Sequence, residues 1–193
     1  MVRKVTIIFA HYNFSASRIQ KALLNAIRDL DNIEIRDLYH LYPDYFIDVK
    51  SEQQAIRTSD LIVFQHPIHW YSSPAIIKEW QDVVLEHGFA YGTNGNALRG
   101  KDFIQVVSSG GGELAFMREG ANRFTLGEFL RPFEATARLC GLNYHKPFIV
   151  NDAFKISDDL LAEKTKTYRD LLEDYLKIGN SALISEDTSY IGI

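Results

Sequence analysis

The amino-acid sequence predicts one α/β domain, a five-stranded parallel sheet with helices packed on both faces. Three observations carry that expectation. Segments of strand character alternate with segments of helical period from one end of the chain to the other. Residues 5–9, apolar but for the hydroxyl of Thr6, and 61–64 are continuous runs of the kind that suits strands covered on both sides. No internal repeat and no linker divides the 193 residues, a length suited to a single buried core.

The elements follow in order. Residues 5–9 form a β-branched strand, and Ile19, Ala22, Leu23, Ala26, Ile27 and Leu30 then recur at helical spacing. A second strand spans 33–38, and a tyrosine-rich connector, 39–49, leads to a short helix over 51–58. The third strand, 61–65, runs into Gln65-His66-Pro67-Ile68-His69-Trp70-Tyr71-Ser72-Ser73-Pro74. Ser73 as N-cap and Pro74 as first residue then open a helix to about 86, striped by Ile76, Ile77, Trp80, Val83 and Val84. A loop over 88–100, rich in Gly and Asn, precedes a fourth strand at 103–107, which ends in Ser108-Ser109-Gly110-Gly111-Gly112. An irregular segment reaches Pro132, expected to open the next helix, with Gly141 stopping it. The fifth strand lies near 143–150. Ser157 caps a last helix bearing Leu160, Leu161, Tyr168, Leu171, Leu172 and Tyr175. The domain so read spans 1–178, and a loosely held tail spans 179–193.

Composition narrows the function classes. A net charge of −4 gives no basic surface for nucleic acid. The lone Cys140 pairs with nothing, and no cysteine or histidine spacing suits a metal. The N-terminal apolar run is too short for a signal peptide, and no run is long enough to span a bilayer. A soluble protein of a reducing cytosol is the expectation.

Three connections carry chemistry. The first, residues 10–18, brings His11, Tyr12, Ser15, Ser17 and Arg18 to a helix N-terminus, where hydroxyls, amides and the dipole favour a phosphate. The same residues read equally well as a helix cap with a solvated arginine. The second is the aromatic turn. Backbone amides from Ile68 to Tyr71 suit the polar edge of a flat cofactor while aromatics cover its face. Trp70 as a core aromatic, and His66 and His69 as structural histidines, are the alternatives. The third is the Ser-Ser-Gly-Gly-Gly turn, where glycines let a ligand approach the backbone closely, or simply make a flexible turn. Each is weak alone. Their shared position, at the carboxyl ends of strands one, three and four, makes them strong.

The glycine fingerprint of dinucleotide-binding domains is missing after the first strand. The other common doubly wound order, 2-1-3-4-5, is that of flavodoxins, which hold a flavin between the first and third strands. A flavodoxin-like three-layer sandwich is therefore the expected fold.

At these residues the chain resembles the flavodoxin-like NAD(P)H:quinone oxidoreductases over roughly 3–176. The resemblance rests on the segment 65–74, on Lys78-Glu79-Trp80 and on Gly88-Phe89-Ala90-Tyr91-Gly92. Asp37-Leu38-Tyr39, Tyr42-Pro43-Asp44 and Cys140-Gly141-Leu142 are most similar to the ancillary protein of glutathione-gated potassium-efflux systems, and general stress protein-type oxidoreductases are similar too. The resemblance implies bound FMN, or FAD as the alternative, with NAD(P)H as donor and a quinone-like acceptor. It places His11, Ser17, Arg18, Ile19 and Gln20 at the flavin phosphate, Gln20 standing where an asparagine is usual. It places Pro67, Ile68, His69, Trp70 and Tyr71 on one side of the ring, and Ser108, Ser109, Gly110 and Gly111 on the other. It implies a cytoplasmic homodimer with sites at its interface. It also implies a second role, as the regulatory subunit that binds and activates a potassium-efflux antiporter at the inner face of the membrane.

The chain departs from the mammalian members at one point. Their tyrosine and histidine after the glycine turn fall on Phe116 and Asn122 here, which cannot carry a proton in the same way. Tyr12 and His69 are the candidates to take that part. A one-electron carrier of flavodoxin type ranks last, because such carriers are typically more acidic.

Overall fold

A computed structural model describes residues 2–183. β1 (Val5–Phe9), β2 (Ile33–Asp37), β3 (Leu61–Pro67) and β4 (Asp102–Ser108) stand in the order β2-β1-β3-β4, every pair parallel. Two short strands fill the fifth position, β5 (Asn143–Tyr144) and β6 (Phe148–Val150), each pairing with β4. Pro147 lies in the break between them and has no N–H to give to a ladder. The fold is the flavodoxin-like one expected, with its edge strand split.

Alternate residues of the central strands face opposite layers. Ile8, Ile62, Phe64, Phe103 and Val107 meet Ile56 of α3 (Val49–Arg57), Trp80 of α4 (Ala75–Val84) and Phe133 of α5 (Leu126–Leu139). Val5, Ile7, Val63, Ile104 and Val106 meet Leu23 of α1 (Ile19–Asn25) and Tyr168, Leu172 and Tyr175 of α6 (Asp158–Ile178). Each fully buried aliphatic or aromatic side chain contributes roughly 1.5–3 kcal/mol over leaving it in water. β1 is wholly buried, and for that reason its sequence does not alternate.

Local chemistry sets the helix ends, and three differ from expectation. α5 starts at Leu126, because Thr125 and Glu128 form a reciprocal capping box. Pro132 therefore lies inside the helix. α4 starts one residue later than expected, with Pro74 at the cap position and Ser73 outside it. The connector after β2 holds one helical turn, α2 (Leu38–Leu41), capped by the Asp37 carboxylate through the His40 N–H. Ser157 caps α6 as expected, accepting from Leu160 N–H at 3.2 Å.

Residues 179–183 form a 3-10 turn with Leu183 buried in the α1/α6 layer, so the first residues beyond α6 are packed. Residues 184–193, the rest of the expected tail, lie outside the described residues.

One charged group is fully buried on the other side. Glu52 of α3 accepts from the Arg36 guanidinium, from Tyr42 Oη at 2.6 Å and from Trp80 Nε1 at 2.8 Å. The carboxylate thus joins β2, the connector, α3 and α4, and α4 is the helix that follows the aromatic turn.

Candidate active site

Parallel register sets Phe9 beside Gln65 and Pro67 beside Ser108, so the three predicted loops leave the sheet as neighbours. Hydrogen bonds stitch their roots together. Ala10 N–H donates to Gln65 O at 3.1 Å, and Ile68 N–H to Ser108 O at 2.7 Å. Below them a buried side-chain row runs across the layers: Tyr168 Oη to Gln65, Gln65 to Gln20, and Gln20 to Ser108, at 2.9, 3.1 and 3.0 Å.

The aromatic turn is a two-residue reversal. His69 N–H donates to Ser72 O and Ser72 N–H to His69 O, both at 2.9 Å. Trp70 and Tyr71 occupy the two central positions with φ +47° and +64°, the backbone of a type I′ turn that ordinarily takes Asn and Gly. Bulky residues in this left-handed region are strained by about 1–3 kcal/mol each. Trp70 is 94% exposed, so it is not a core aromatic. Tyr71, half-exposed, packs against Phe129 of α5 with ring centroids 5.0 Å apart.

Of the four amides from Ile68 to Tyr71, two are engaged within the chain: Ile68 to Ser108 O and His69 to Ser72 O. The expectation narrows to the N–H groups of Trp70 and Tyr71, which have no acceptor among the described residues. Pro67 is buried, and its carbonyl is held by His66 Nδ1 at 3.0 Å.

In the first loop, His11 and Tyr12 stack 5.8 Å apart, and His69 from the second loop leans on Tyr12 at 5.0 Å and on His11 at 6.4 Å. Burial lowers the pKa of His11 and His69, and for His11 the neighbouring His69 charge lowers it further. Ser17 Oγ accepts the Gln20 N–H at 3.2 Å, a helix-capping contact. Two residues expected at a phosphate are otherwise engaged. Arg18 turns to the start of α6, donating to Ile156 O and pairing with Asp158. Gln20 is fully buried, so its side chain supports the loop instead of reaching out of it. The Ile19 side chain is likewise buried, which leaves only its backbone at the loop.

In the third loop, Ser108 and Ser109 are buried and Gly110 is exposed. A Cβ on Gly110 would meet the Phe154 ring at 2.9 Å, and one on Gly111 the Phe116 ring at 3.2 Å, so a side chain at either position would have to displace a ring. Phe116 packs edge-on against Phe129 at 6.3 Å, and Asn122 donates its N–H to Ala115 O at 3.0 Å.

A fourth loop, not anticipated, completes the arrangement. Residues 151–155 bind back onto the glycine turn: Asp152 N–H to Gly111 O at 3.0 Å, Ala153 N–H to Ser109 O at 2.9 Å, and Ser109 Oγ beside Asn151 Oδ1 at 2.8 Å. Asp152 has φ +64°, and Phe154 is 86% exposed against Gly110. Asn-Asp at the end of a strand, a pair that tolerates left-handed backbone, was the available signal.

Among the described residues the N–H groups of Trp70, Tyr71, Gly110 and Gly111 have no acceptor; they lie on turns that leave the neighbouring strands β3 and β4, with the hydroxyls of Ser17 and Ser108 at the loop roots. That donor set fits a flat ring with polar edges and an oxygen-rich tail, as in FMN. Among the described residues there is no group of three or more His, Cys, Asp or Glu able to hold a metal.

Residues 3–172 match the family described as having a flavodoxin-like fold. The ancillary protein KefF of the glutathione-regulated potassium-efflux system of Enterobacter sp. (strain 638) is 42% identical over 176 residues, covering 91% of this chain and 99% of that protein. General stress protein 14 of Treponema denticola, solved in complex with FMN, is 38% identical with a TM-score of 0.81, covering 90% of this chain and 98% of that one. An NADPH-quinone reductase of P. pentosaceus is 31% identical with a TM-score of 0.79, covering 86% of this chain and 95% of that one.

Proposed function

This chain belongs to the family with the flavodoxin-like fold, its match running over residues 3–172, and we propose that it is an FMN-dependent NAD(P)H oxidoreductase that reduces quinones or similar acceptors. One observation carries the reading. The strained Trp70–Tyr71 turn offers two amides without an acceptor among the described residues, at the strand end next to that of the Gly110–Gly111 turn, in a chain 38% identical to a protein solved with FMN. A left-handed turn of two large aromatics, one of them 94% exposed, is costly for folding, and that cost suits a binding role.

When bound, FMN supplies the two-electron chemistry between nicotinamide and acceptor. The protein binds, orients and excludes water. Trp70 and Tyr71 N–H would hold one polar edge, and Gly110 and Gly111 would leave the backbone bare beside the ring. Ser17, the loop amides and His11 would hold the phosphate. Tyr71, Phe116, Phe124 and Phe129 form an apolar wall, with Phe129 touching the other three rings at 5.0 to 6.3 Å. Reducing a quinone with NAD(P)H consumes one proton from outside the two reactants. With Phe116 and Asn122 unable to hold it, Tyr12 Oη and the neutral imidazole of His69 are the groups we assign to that proton. FMN-dependent loss of NAD(P)H absorbance on adding a soluble naphthoquinone tests the reading, and no turnover with FMN demonstrably bound would count against it.

A homodimer is part of the same proposal. Among the described residues, ten of the fourteen large apolar side chains left exposed lie in connections that follow a strand, the Phe46, Trp70 and Phe154 rings among them. An apolar collar at one end of a molecule suits burial against a second copy.

The likeness to KefF favours a second reading, in which the protein binds and activates a potassium-efflux antiporter at the cytoplasmic face of the membrane. No helix among the described residues is long and apolar enough to cross a membrane, so attachment would go through the partner. The two roles are compatible. Unchanged potassium efflux in a deletion strain would count against this one.

A further inference from the structure

We propose that Gln20 is a positioning residue and not a ligand: it turns the hydroxyl protons of Ser17 and Ser108 toward the site as a pair of hydrogen-bond donors. The inference rests on the FMN reading and deepens it.

Gln20 donates twice to serine oxygens. Its backbone N–H reaches Ser17 Oγ at 3.2 Å and its side-chain Nε2 reaches Ser108 Oγ at 3.0 Å. A hydroxyl has one proton and two acceptor positions. Among the described residues, neither serine hydroxyl has an acceptor for its own proton. Both protons are left to be donated.

The direction of the row follows from its buried end. Gln65 Nε2 donates to Gln20 Oε1 at 3.1 Å, and Tyr168 Oη donates to Gln65 Oε1 at 2.9 Å. Flipping both amides would give a second self-consistent chain, with Ser108 donating inward. The Tyr168 proton would then have no acceptor, although Tyr168 is fully buried among apolar side chains such as Phe148. An unsatisfied hydroxyl in a dry core carries the full desolvation penalty, whereas Ser108 is the last residue of β4, where the strand gives way to the third loop. Tyr168, on the far layer, therefore sets which way Ser108 donates. Two such donors at the root of the first and third loops suit phosphate or polyol oxygens, and FMN carries both.

The test is titration of FMN into the flavin-free protein, followed by quenching of FMN fluorescence, with thermal unfolding measured without FMN. Gln20→Met and Ser108→Ala are each expected to weaken FMN binding about tenfold. The double variant should be no weaker than either single one, because both act through one hydroxyl. Tyr168→Phe keeps all three remaining polar side chains and decides the matter if Gln20→Met does not fold. It is expected to weaken FMN binding about threefold or more and to alter the visible circular dichroism of bound FMN. Variants that lose thermal stability yet bind FMN as the wild type does would overturn the inference and leave the FMN reading standing, as would additive losses in the double variant. A wild-type protein that takes up no FMN would overturn the reading itself.

Discussion

Gln20 and Ser108, 88 residues apart in sequence, share a buried 3.0 Å hydrogen bond that ties the first loop of the site to the third. Gln65 and Tyr168 continue the row through β3 to α6. The loops therefore hang from a fixed, dry frame.

Trp70→Gly separates folding from binding at the turn. Trp70 is almost wholly exposed, so its removal forfeits little packing. Glycine relieves about 1–3 kcal/mol of left-handed strain. It adds an unfolded-state entropy cost of about 0.5–1 kcal/mol. The ligand-free protein should be as stable as the wild type or more stable by about 1 kcal/mol in urea unfolding, while FMN binds more weakly. Lower stability together with unchanged FMN affinity would contradict the assignment of this turn to binding.

Glu52→Gln should be strongly destabilising. The carboxylate is fully buried and answers the Arg36 guanidinium, itself largely buried. Removing one member of such a pair costs about 3–5 kcal/mol, because the other charge stays inside. A shift of the urea midpoint equivalent to less than about 1 kcal/mol would mean that the Arg36 charge escapes to solvent.

His66 should make stability depend on acidity. Burial pushes its pKa down to about 4, and its Nε2 has no partner among the described residues. Unfolded, the group takes a proton near pH 6.5. The unfolded chain therefore binds more protons between those values, and stability present at pH 7 is lost as pH falls from about 6.5 toward 4. At pH 5 the loss from this one group is about 2 kcal/mol. His66→Phe, which sets a ring against Phe133, should flatten the fall between pH 7 and pH 5 by about that amount. Equal slopes for the two proteins would show that His66 charges freely in the fold.

Asn122→His would put a titratable group where the resemblance to the mammalian oxidoreductases implies one. Quinone turnover should rise or hold, measured with FMN saturating. A steep loss of turnover with FMN still bound would mean that residue 122 does not occupy that position.

Much of this molecule was legible in the sequence. Continuous apolar runs such as residues 61–64 have no polar face because both faces are covered, and that pattern pointed to the sheet and the neighbouring loop ends. Helix boundaries were less legible where two signals competed. Pro132 suggested a start, but the Thr125–Glu128 capping box satisfies more backbone groups and sets the helix a full turn and more earlier. That three loops would leave the sheet as neighbours was legible; how their atoms pair was not. Whether Ile68 N–H faces a ligand or Ser108 O depends on a pairing 40 residues away, and Arg18 finds Asp158 only once α6 is folded beside α1. The fourth loop offered only its Asn151-Asp152 pair as a signal; hydrogen bonds to Ser109 and Gly111 bring it beside the third loop.

The most direct measurement is to load the purified protein with FMN, remove free flavin by gel filtration, and identify what denaturation releases by chromatography. A flavin site formed by the Trp70–Tyr71 and Gly110–Gly111 turns predicts a yellow protein that NAD(P)H bleaches, releasing FMN at about one per chain. A colourless protein that retains neither FMN nor FAD would contradict it.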